Sequence, residues 1–123
     1  MGNKADKGPP QRHQFLFSQQ GMVPGAGSFY SIDQFGNVYF AVNARLTPIA
    51  QNTAYTLGTL PVGFRPIVTT SLTCFTRRSS PFEGTFVISQ VIILSTGQVT
   101  LYTPAFSAAS IDWVTFNAWF PAA

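Results

Sequence analysis

Few side chains in this 123-residue sequence could take part in chemistry. The titratable candidates beyond the basic residues are one histidine, one cysteine and, after residue 13, three carboxylates: His13, Cys74, Asp33, Glu83 and Asp112. A Ser-His-Asp triad requires an ordered histidine, but this one lies in a polar stretch beside a Pro-Pro pair. A glycoside hydrolase requires two paired carboxylates, and nothing in the sequence pairs these three. We therefore expect a protein that is not an enzyme.

Metal and cofactor chemistry is not indicated either. A single cysteine cannot supply a cysteine-based zinc site, and isolated carboxylates do not cluster the oxygens that calcium requires. The sequence contains no phosphate-binding loop and no dinucleotide fingerprint. We expect no metal and no cofactor. Since no intrachain disulfide is possible, Cys74 is predicted to be a small buried residue within a strand.

Recognition by surface side chains is better supported than catalysis. The segment TRRSSPFEG places Arg77, Arg78 and Glu83 beside Phe82 at the predicted tip of a hairpin. Loops on a rigid β scaffold commonly carry binding residues, and arginine beside an aromatic ring suits a protein hot spot or a sugar-binding surface. An ordinary solvated loop would also carry charges. These four residues are the candidates for contact with an external ligand.

The composition is unusually poor in charge. Hydrophobic residues make up 46% of the chain and charged residues 9%, against about a quarter in typical soluble domains. Such a surface is difficult to solvate, so we expect other subunits to cover part of it. The four arginines distributed through the β domain form no stripe that could follow a phosphate backbone, which argues against nucleic acid as a partner. No apolar run approaches the roughly 18 residues that span a membrane.

The hydrophobic pattern predicts strands throughout. From Gln14 onward, about eight segments of strand character are separated by turn signals, which is typical of an antiparallel β-sandwich or jelly roll. Residues 1–13 carry Lys4, Lys7 and Arg12 against Asp6 and have too few apolar side chains to form a core. We therefore divide the chain into a flexible basic arm, 1–13, and a β-sandwich domain, 14–123.

The last predicted strand has two apolar faces. Its alternation places Val114, Phe116, Ala118 and Phe120 on one side and Trp113, Thr115, Asn117 and Trp119 on the other. The first face would pack on the core. The second predicts a subunit interface centred on the two tryptophans, although a central strand covered by loops of the same chain would give the same pattern.

The stretch YTLGTLPVGFRP, residues 55–66, predicts a stiff corner between two strands. Pro61 and Pro66 fix φ and remove hydrogen-bond donors, and Gly63 permits a sharp reversal. Arg65 has three possible partners here: carbonyl oxygens of the corner, a carboxylate of the same chain, or a neighbouring subunit. Its forked donors suit all three, and we include it among the interface candidates.

This corner, with the turn and strand STGQVTLYT and the terminal WVTFNAWF, resembles the C-terminal head modules of bacteriophage tail-fibre and baseplate receptor-binding proteins. The resemblance covers about residues 29–120. It implies a β-sandwich head, usually trimeric, that acts in the virion by binding a host-cell surface glycan or protein, or another virion protein. The hairpin residues 77, 78, 82 and 83 would then be the receptor-binding candidates.

The resemblance leaves the position on the particle open, because such heads usually follow a long stalk and here a short arm precedes the domain. The alternative is a capsid decoration or head-fibre protein that is anchored to the virion through Lys4, Lys7 and Arg12. A third class is a cellular trimeric ligand of the tumour necrosis factor type.

Overall fold

The computed structural model describes residues 11–18, 23–24, 28–50, 53–78, 86–104 and 111–123. Within these ranges the chain forms strands and turns and no helix. The strands are β1 (His13–Gln14), β2 (Val23–Pro24), β3 (Phe29–Ile32), β4 (Asn37–Ile49), β5 (Ala54–Thr59), β6 (Thr70–Arg78), β7 (Phe86–Ile93), β8 (Gln98–Tyr102) and β9 (Ile111–Pro121). The prediction of an all-β chain is confirmed.

The strands form one antiparallel sheet that curls over itself. Their order is β1-β3-β4-β9-β6-β7-β8-β5, and β2 pairs with β4 beside β3. Because the sheet curls, its inward side chains meet across a common core as they do in a sandwich. The two-residue β2 lies in the glycine-rich sequence GMVPGAG, and it brings the structure to nine strands among the described residues.

The segment 13–18 connects the two edges of this curled sheet, and we call it the closing segment. It pairs with β3 through His13 and reaches β5 through an isolated bridge between Phe17 and Gly58. The amide of Ser18 also donates to the carbonyl of Leu57 at 2.8 Å. Sheet closure removes exposed edges that would otherwise pair with other chains.

Gly58 is required by the closing segment. A Cβ atom at this position would lie 2.6 Å from the carbonyl oxygen of Leu16 and 2.7 Å from the ring of Phe15. Phe15 is fully buried and packs against Phe40, with ring centroids 4.9 Å apart. A glycine within a strand thus marks a close approach of a second backbone, as such glycines often do.

The core is built on the alternation of β4 and β9, which pair along most of their length. The inward residues of both strands, those of β9 as predicted, are buried: Val38, Phe40, Val42, Ala44, Val114, Phe116, Ala118 and Phe120. Each fully buried aliphatic or aromatic side chain contributes about 1.5–3 kcal/mol relative to an exposed one. These two neighbouring strands therefore form the framework on which outward side chains are displayed.

The two ends of the sheet differ. At one, which we call the turn end, the turns 33–36, 60–66 and 94–97 are joined by backbone hydrogen bonds, among them Leu60 N to Gly97 O at 2.9 Å and Ala122 N to Gly36 O at 2.8 Å. At the other, the loop end, β4 and β6 finish and β7 and β9 begin.

The chain enters the sheet at the turn end. His13 stacks on Tyr30 with ring centroids 5.3 Å apart and meets the edge of Phe64, in the corner, at 5.2 Å. The predicted boundary at residues 13 and 14 thus falls inside β1. Residues 1–10 lie outside the described residues, so the division into arm and domain stays a prediction.

Candidate binding surface

The outward faces of β4, β9 and β6 form one continuous surface, because β9 lies between the other two strands. Cross-strand registers place Arg45 opposite Trp113 and Trp113 opposite Arg77, which forms a row across three strands. Farther along β9, Trp119 lies opposite Tyr39 of β4. The two tryptophans are six residues apart on one strand, a separation of about 20 Å.

A β-bulge orients the first of these groups. Arg77 pairs with Trp113, but Arg78 pairs with Ile111, so Asp112 is an extra residue in β9. Bulges of this type redirect side chains at the end of a paired region. Here Ile111 is buried, while both Asp112 and Trp113 are partly exposed. The bulge therefore brings a carboxylate and an indole to the same surface.

The Trp113 cluster consists of Arg45, Arg77, Asp112 and Trp113. The guanidinium of Arg77 lies 5.2 Å from the indole centroid, and that of Arg45 lies 5.9 Å from it on the β4 side. Arg77 also donates from Nε and Nη2 to Oδ1 of Asp112, both at 3.3 Å. The Arg77 and Asp112 side chains are 28% and 21% exposed. The cluster therefore presents positive charge around one aromatic ring.

The Trp119 cluster is more apolar and consists of Arg12, Phe29, Tyr39 and Trp119. The rings of Tyr39 and Trp119 meet edge-on, with centroids 5.0 Å apart. The Tyr39 ring also lies tilted against Phe29, with centroids 5.6 Å apart. The guanidinium of Arg12 lies 4.5 Å above the Phe29 ring. Trp119 remains 65% exposed, which is a large apolar area to leave in water.

Further apolar side chains extend the surface beyond β6. Phe75, Phe86 and Ile88 are 58%, 62% and 64% exposed. Phe75 lies opposite Ile88 and Arg77 lies opposite Phe86 in the pairing of β6 with β7. Aromatic and aliphatic groups in this arrangement suit contact with another protein surface.

The structure describes two of the four predicted receptor-binding candidates. Arg77 lies on the outward face of β6, and Arg78 lies at the end of the same strand, opposite Ile111. Phe82 and Glu83 lie outside the described residues. Sequence reasoning did not identify Arg45 and Asp112 as site residues, although the alternation of side chains along a strand is sufficient to place Arg45 on the outward face of β4. The missing signal was the strand order, which sets β4 and β6 on either side of β9.

Arg65 is engaged within its own corner. Its Nε donates to the carbonyl oxygen of Leu60 at 2.8 Å, and its own carbonyl accepts the amide of Ala123 at 2.8 Å. Gly97, at φ +94°, lies against the Arg65 side chain, where a Cβ would come within 2.6 Å of Nε. Of the three partners open to Arg65, a corner carbonyl is the one present among the residues that the structure describes. Its assignment to a subunit interface stays a prediction.

The remaining candidates are those predicted to contact other protein chains. Arg12 packs on Phe29, and the other two predicted virion-anchor residues, Lys4 and Lys7, lie outside the described residues. Trp113 and Trp119 face outward as predicted. Their place in a subunit interface stays a prediction.

Reactive groups are scarce in the described part of the chain. Cys74 is buried, and burial raises the pKa of its thiol to about 12, so little thiolate exists at neutral pH. No group of three or more histidine, cysteine, aspartate or glutamate side chains that could hold a metal occurs among the described residues. In the same ranges there is no helix with the length and apolar character required to cross a membrane.

Comparison with known proteins identifies the fold. No protein-family model matches the sequence, and no curated protein matches it. Among solved structures, the head domain of lactococcal phage bIL170, described with the receptor-binding domains of lactococcal phages, is similar at a TM-score of 0.66 and 14% identity. The match covers 94% of this chain and all of that domain. The chain therefore has the fold of a phage head domain.

Proposed function

We propose that this chain is the receptor-binding head of a phage tail-fibre or baseplate protein, and that it acts in the virion by binding rather than by catalysis. The observation that carries the proposal is the fold match, because it spans nearly the whole of both chains. The scarcity of reactive groups around the binding surface is consistent with a binding role.

The direction in which the chain enters the sheet supports an outward placement of the loop end. The polypeptide enters the sheet at the turn end, where His13 packs on Phe64. A tether to the particle through the N-terminal residues would therefore hold the turn end inward and direct the loop end outward. Arg77 and Arg78 lie at that outward end, so they remain our candidates for receptor contact, together with Phe82 and Glu83.

We further propose that the head is a homotrimer whose subunits meet on the apolar part of the outward face. Trp119 and Phe75 are exposed in the single chain, and burial of such aromatic side chains is typical of the centre of a protein interface. Light scattering after size-exclusion chromatography should give a mass near three chains at every protein concentration. A concentration-independent monomer would contradict the trimer while leaving the fold assignment unaffected.

Receptor binding is tested with the fluorescently labelled domain on a panel of bacterial strains that includes lactococci, with bound cells counted by flow cytometry. The expected result is saturable binding to particular strains, which the combined Arg77→Ala and Arg78→Ala substitutions weaken. A matched control combines Asn117→Asp with Gln90→Glu, which changes the net charge equally at exposed positions. Undiminished binding of the arginine variant would remove both arginines from the receptor site.

The second candidate is a capsid decoration or head-fibre protein anchored through the arm. The observation in its favour is that Phe35, Val62 and Val68 are exposed at the turn end, which is also the end where the chain enters the sheet. Deletion of residues 1–10 should then abolish attachment to particles while the fold persists. Retention on particles after this deletion would argue against an anchor that contains Lys4 and Lys7.

A further inference from the structure

Three of the four arginines beyond residue 13 lie at the loop end, and two of them, Arg45 and Arg77, share the outward face. Arg45 is the last consecutive residue of β4 whose side chain the structure describes, and Arg77 and Arg78 are the last two residues of β6. Arg45 and Arg77 flank Trp113 at 5.9 and 5.2 Å, so their guanidinium carbons are no more than about 11 Å apart, the sum of these two distances. In a chain with so few charges, this concentration requires an explanation.

The internal contacts of the Trp113 cluster leave positive charge in excess. Asp112 pairs with Arg77, and no carboxylate among the described residues pairs with Arg45, which is exposed. Exposed cation–π contacts and exposed ion pairs each contribute only about 0.5–1 kcal/mol or less. Two like charges beside one ring repel each other, so structural stabilisation alone does not account for the second arginine.

We propose that the Trp113 cluster binds an acidic glycan, with Arg45 and Arg77 holding its phosphate, sulfate or carboxylate groups and Trp113 contacting the face of a sugar ring. This inference rests on the proposed receptor-binding function and specifies the ligand of that site. Guanidinium groups present forked donors that match oxyanions. Because the two guanidinium groups lie over the indole of Trp113, the part of the ring left for the face of a sugar is its apolar edge between them.

The position of the cluster favours a hydrated polymer over an acidic peptide. The cluster lies on an open strand face, and its charged groups remain in contact with water. Peptide recognition of comparable strength depends on desolvated apolar anchors in pockets. A charged glycan remains hydrated when bound and requires only repeated contacts of modest strength.

Three polymers with the same glucan backbone test the charge requirement: dextran, carboxymethyl-dextran and dextran sulfate. Binding is followed by tryptophan fluorescence in the Trp119→Phe variant, so that Trp113 is the only tryptophan. We expect both acidic polymers to change the emission and neutral dextran to have no effect. The affinity for the acidic polymers should fall as salt is added, because the contacts are between charges.

Substitutions locate the site. Arg45→Gln should weaken binding of dextran sulfate about tenfold or more, and Arg45→Lys should weaken it less, since lysine keeps the charge but loses the fork. Asn117→Asp is the matched control: it changes the net charge by the same amount at an exposed position of β9, about 13 Å along the strand from Trp113. At 0.15 M salt its effect should be largely screened.

Four outcomes would overturn the proposal: no binding of either acidic polymer, equal binding of neutral dextran, equal losses for Arg45→Gln and Asn117→Asp, or tighter binding of poly-glutamate than of both acidic dextrans. Flow cytometry on whole cells distinguishes a failure of the acidic-glycan proposal from a failure of the proposed receptor-binding function. If the unmodified domain binds cells and Arg45→Gln binds them equally, the receptor-binding head stands and the acidic-glycan site is wrong.

Discussion

The two tryptophan clusters occupy the same face of the same strand, yet they differ in what they present. Around Trp119, two further aromatic rings and one arginine leave a wide apolar area exposed. Around Trp113, two arginines and one carboxylate surround a single ring. The first composition suits a dry contact with another protein, and the second suits a charged, hydrated ligand.

Their supports differ as well. The Trp119 cluster lies toward the turn end, where backbone hydrogen bonds join successive turns and where the side chains of Asp33 and Arg65 bond to main-chain groups. The Trp113 cluster depends on a bulge in β9 and on one ion pair between side chains. The charged side chains at the turn end therefore stabilise the turns through hydrogen bonds to the main chain. Those at the loop end lie at the surface, where they can contact a ligand.

The largest expected difference concerns subunit association. Trp119→Ala should weaken association by about 2 kcal/mol or more, the typical loss for an aromatic anchor at the centre of an interface, which corresponds to roughly thirtyfold. Trp113→Ala is the matched substitution on the same strand and should change association little, because we assign Trp113 to ligand binding and only Trp119 to the subunit interface. Dilution series monitored by light scattering measure both. A larger effect at Trp113 would reverse the roles that we assign to the two clusters.

The next prediction concerns the charge balance of the Trp113 cluster. Asp112→Asn removes the negative charge that offsets Arg77, so the affinity for dextran sulfate should rise by a few-fold. The same fluorescence titration in the Trp119→Phe background measures this change. A fall in affinity would mean that Asp112 serves chiefly to orient Arg77 and that orientation outweighs charge.

Sequence reasoning predicted the faces of individual strands better than the contacts between strands. The alternation in β4 and β9 is sufficient to predict which side chains are buried, because a strand reverses its side-chain direction at every residue. It does not predict that β4 and β6 flank β9, since neither adjoins β9 along the sequence. The row Arg45–Trp113–Arg77 depends on this order and could not be anticipated from periodicity.

Local chemistry was predictable only where the partners are close in sequence. The glycine and proline pattern of residues 55–66 predicts the corner, and Arg65 bonds to Leu60, five residues away. Asp112 illustrates the opposite case, because its partner Arg77 is 35 residues distant and the bulge that exposes it exists only in the paired sheet. The hairpin tip with Phe82 and Glu83 remains a prediction.

A smaller effect is expected on folding stability from the Arg77–Asp112 pair. Its side chains are partly exposed, and ion pairs of this kind contribute about 0–1 kcal/mol. Arg77→Ala, Asp112→Ala and the double variant, compared by denaturant unfolding, give the coupling energy directly. A coupling energy well above 1 kcal/mol would show that the pair belongs to the framework, and the contrast between the two clusters would then weaken.

The smallest effect is expected from Asp33, whose turn leads into the strand that carries Tyr39. Hydrogen bonds donated by the backbone amides of Asn37 and Phe35 lower the pKa of this carboxyl below its ordinary value of 3.8. The ionised form is therefore favoured by folding, and its stabilisation is present above pH 3.8 and is lost as the pH falls through the lower folded-state pKa. Asp33→Asn keeps an acceptor at Oδ1 but cannot ionise, so its unfolding free energy should decline less between pH 5 and pH 2. Denaturant unfolding across this range measures the change in both proteins. If their unfolding free energies decline in parallel, the stability of the turn that precedes β4 does not depend on the charge of Asp33.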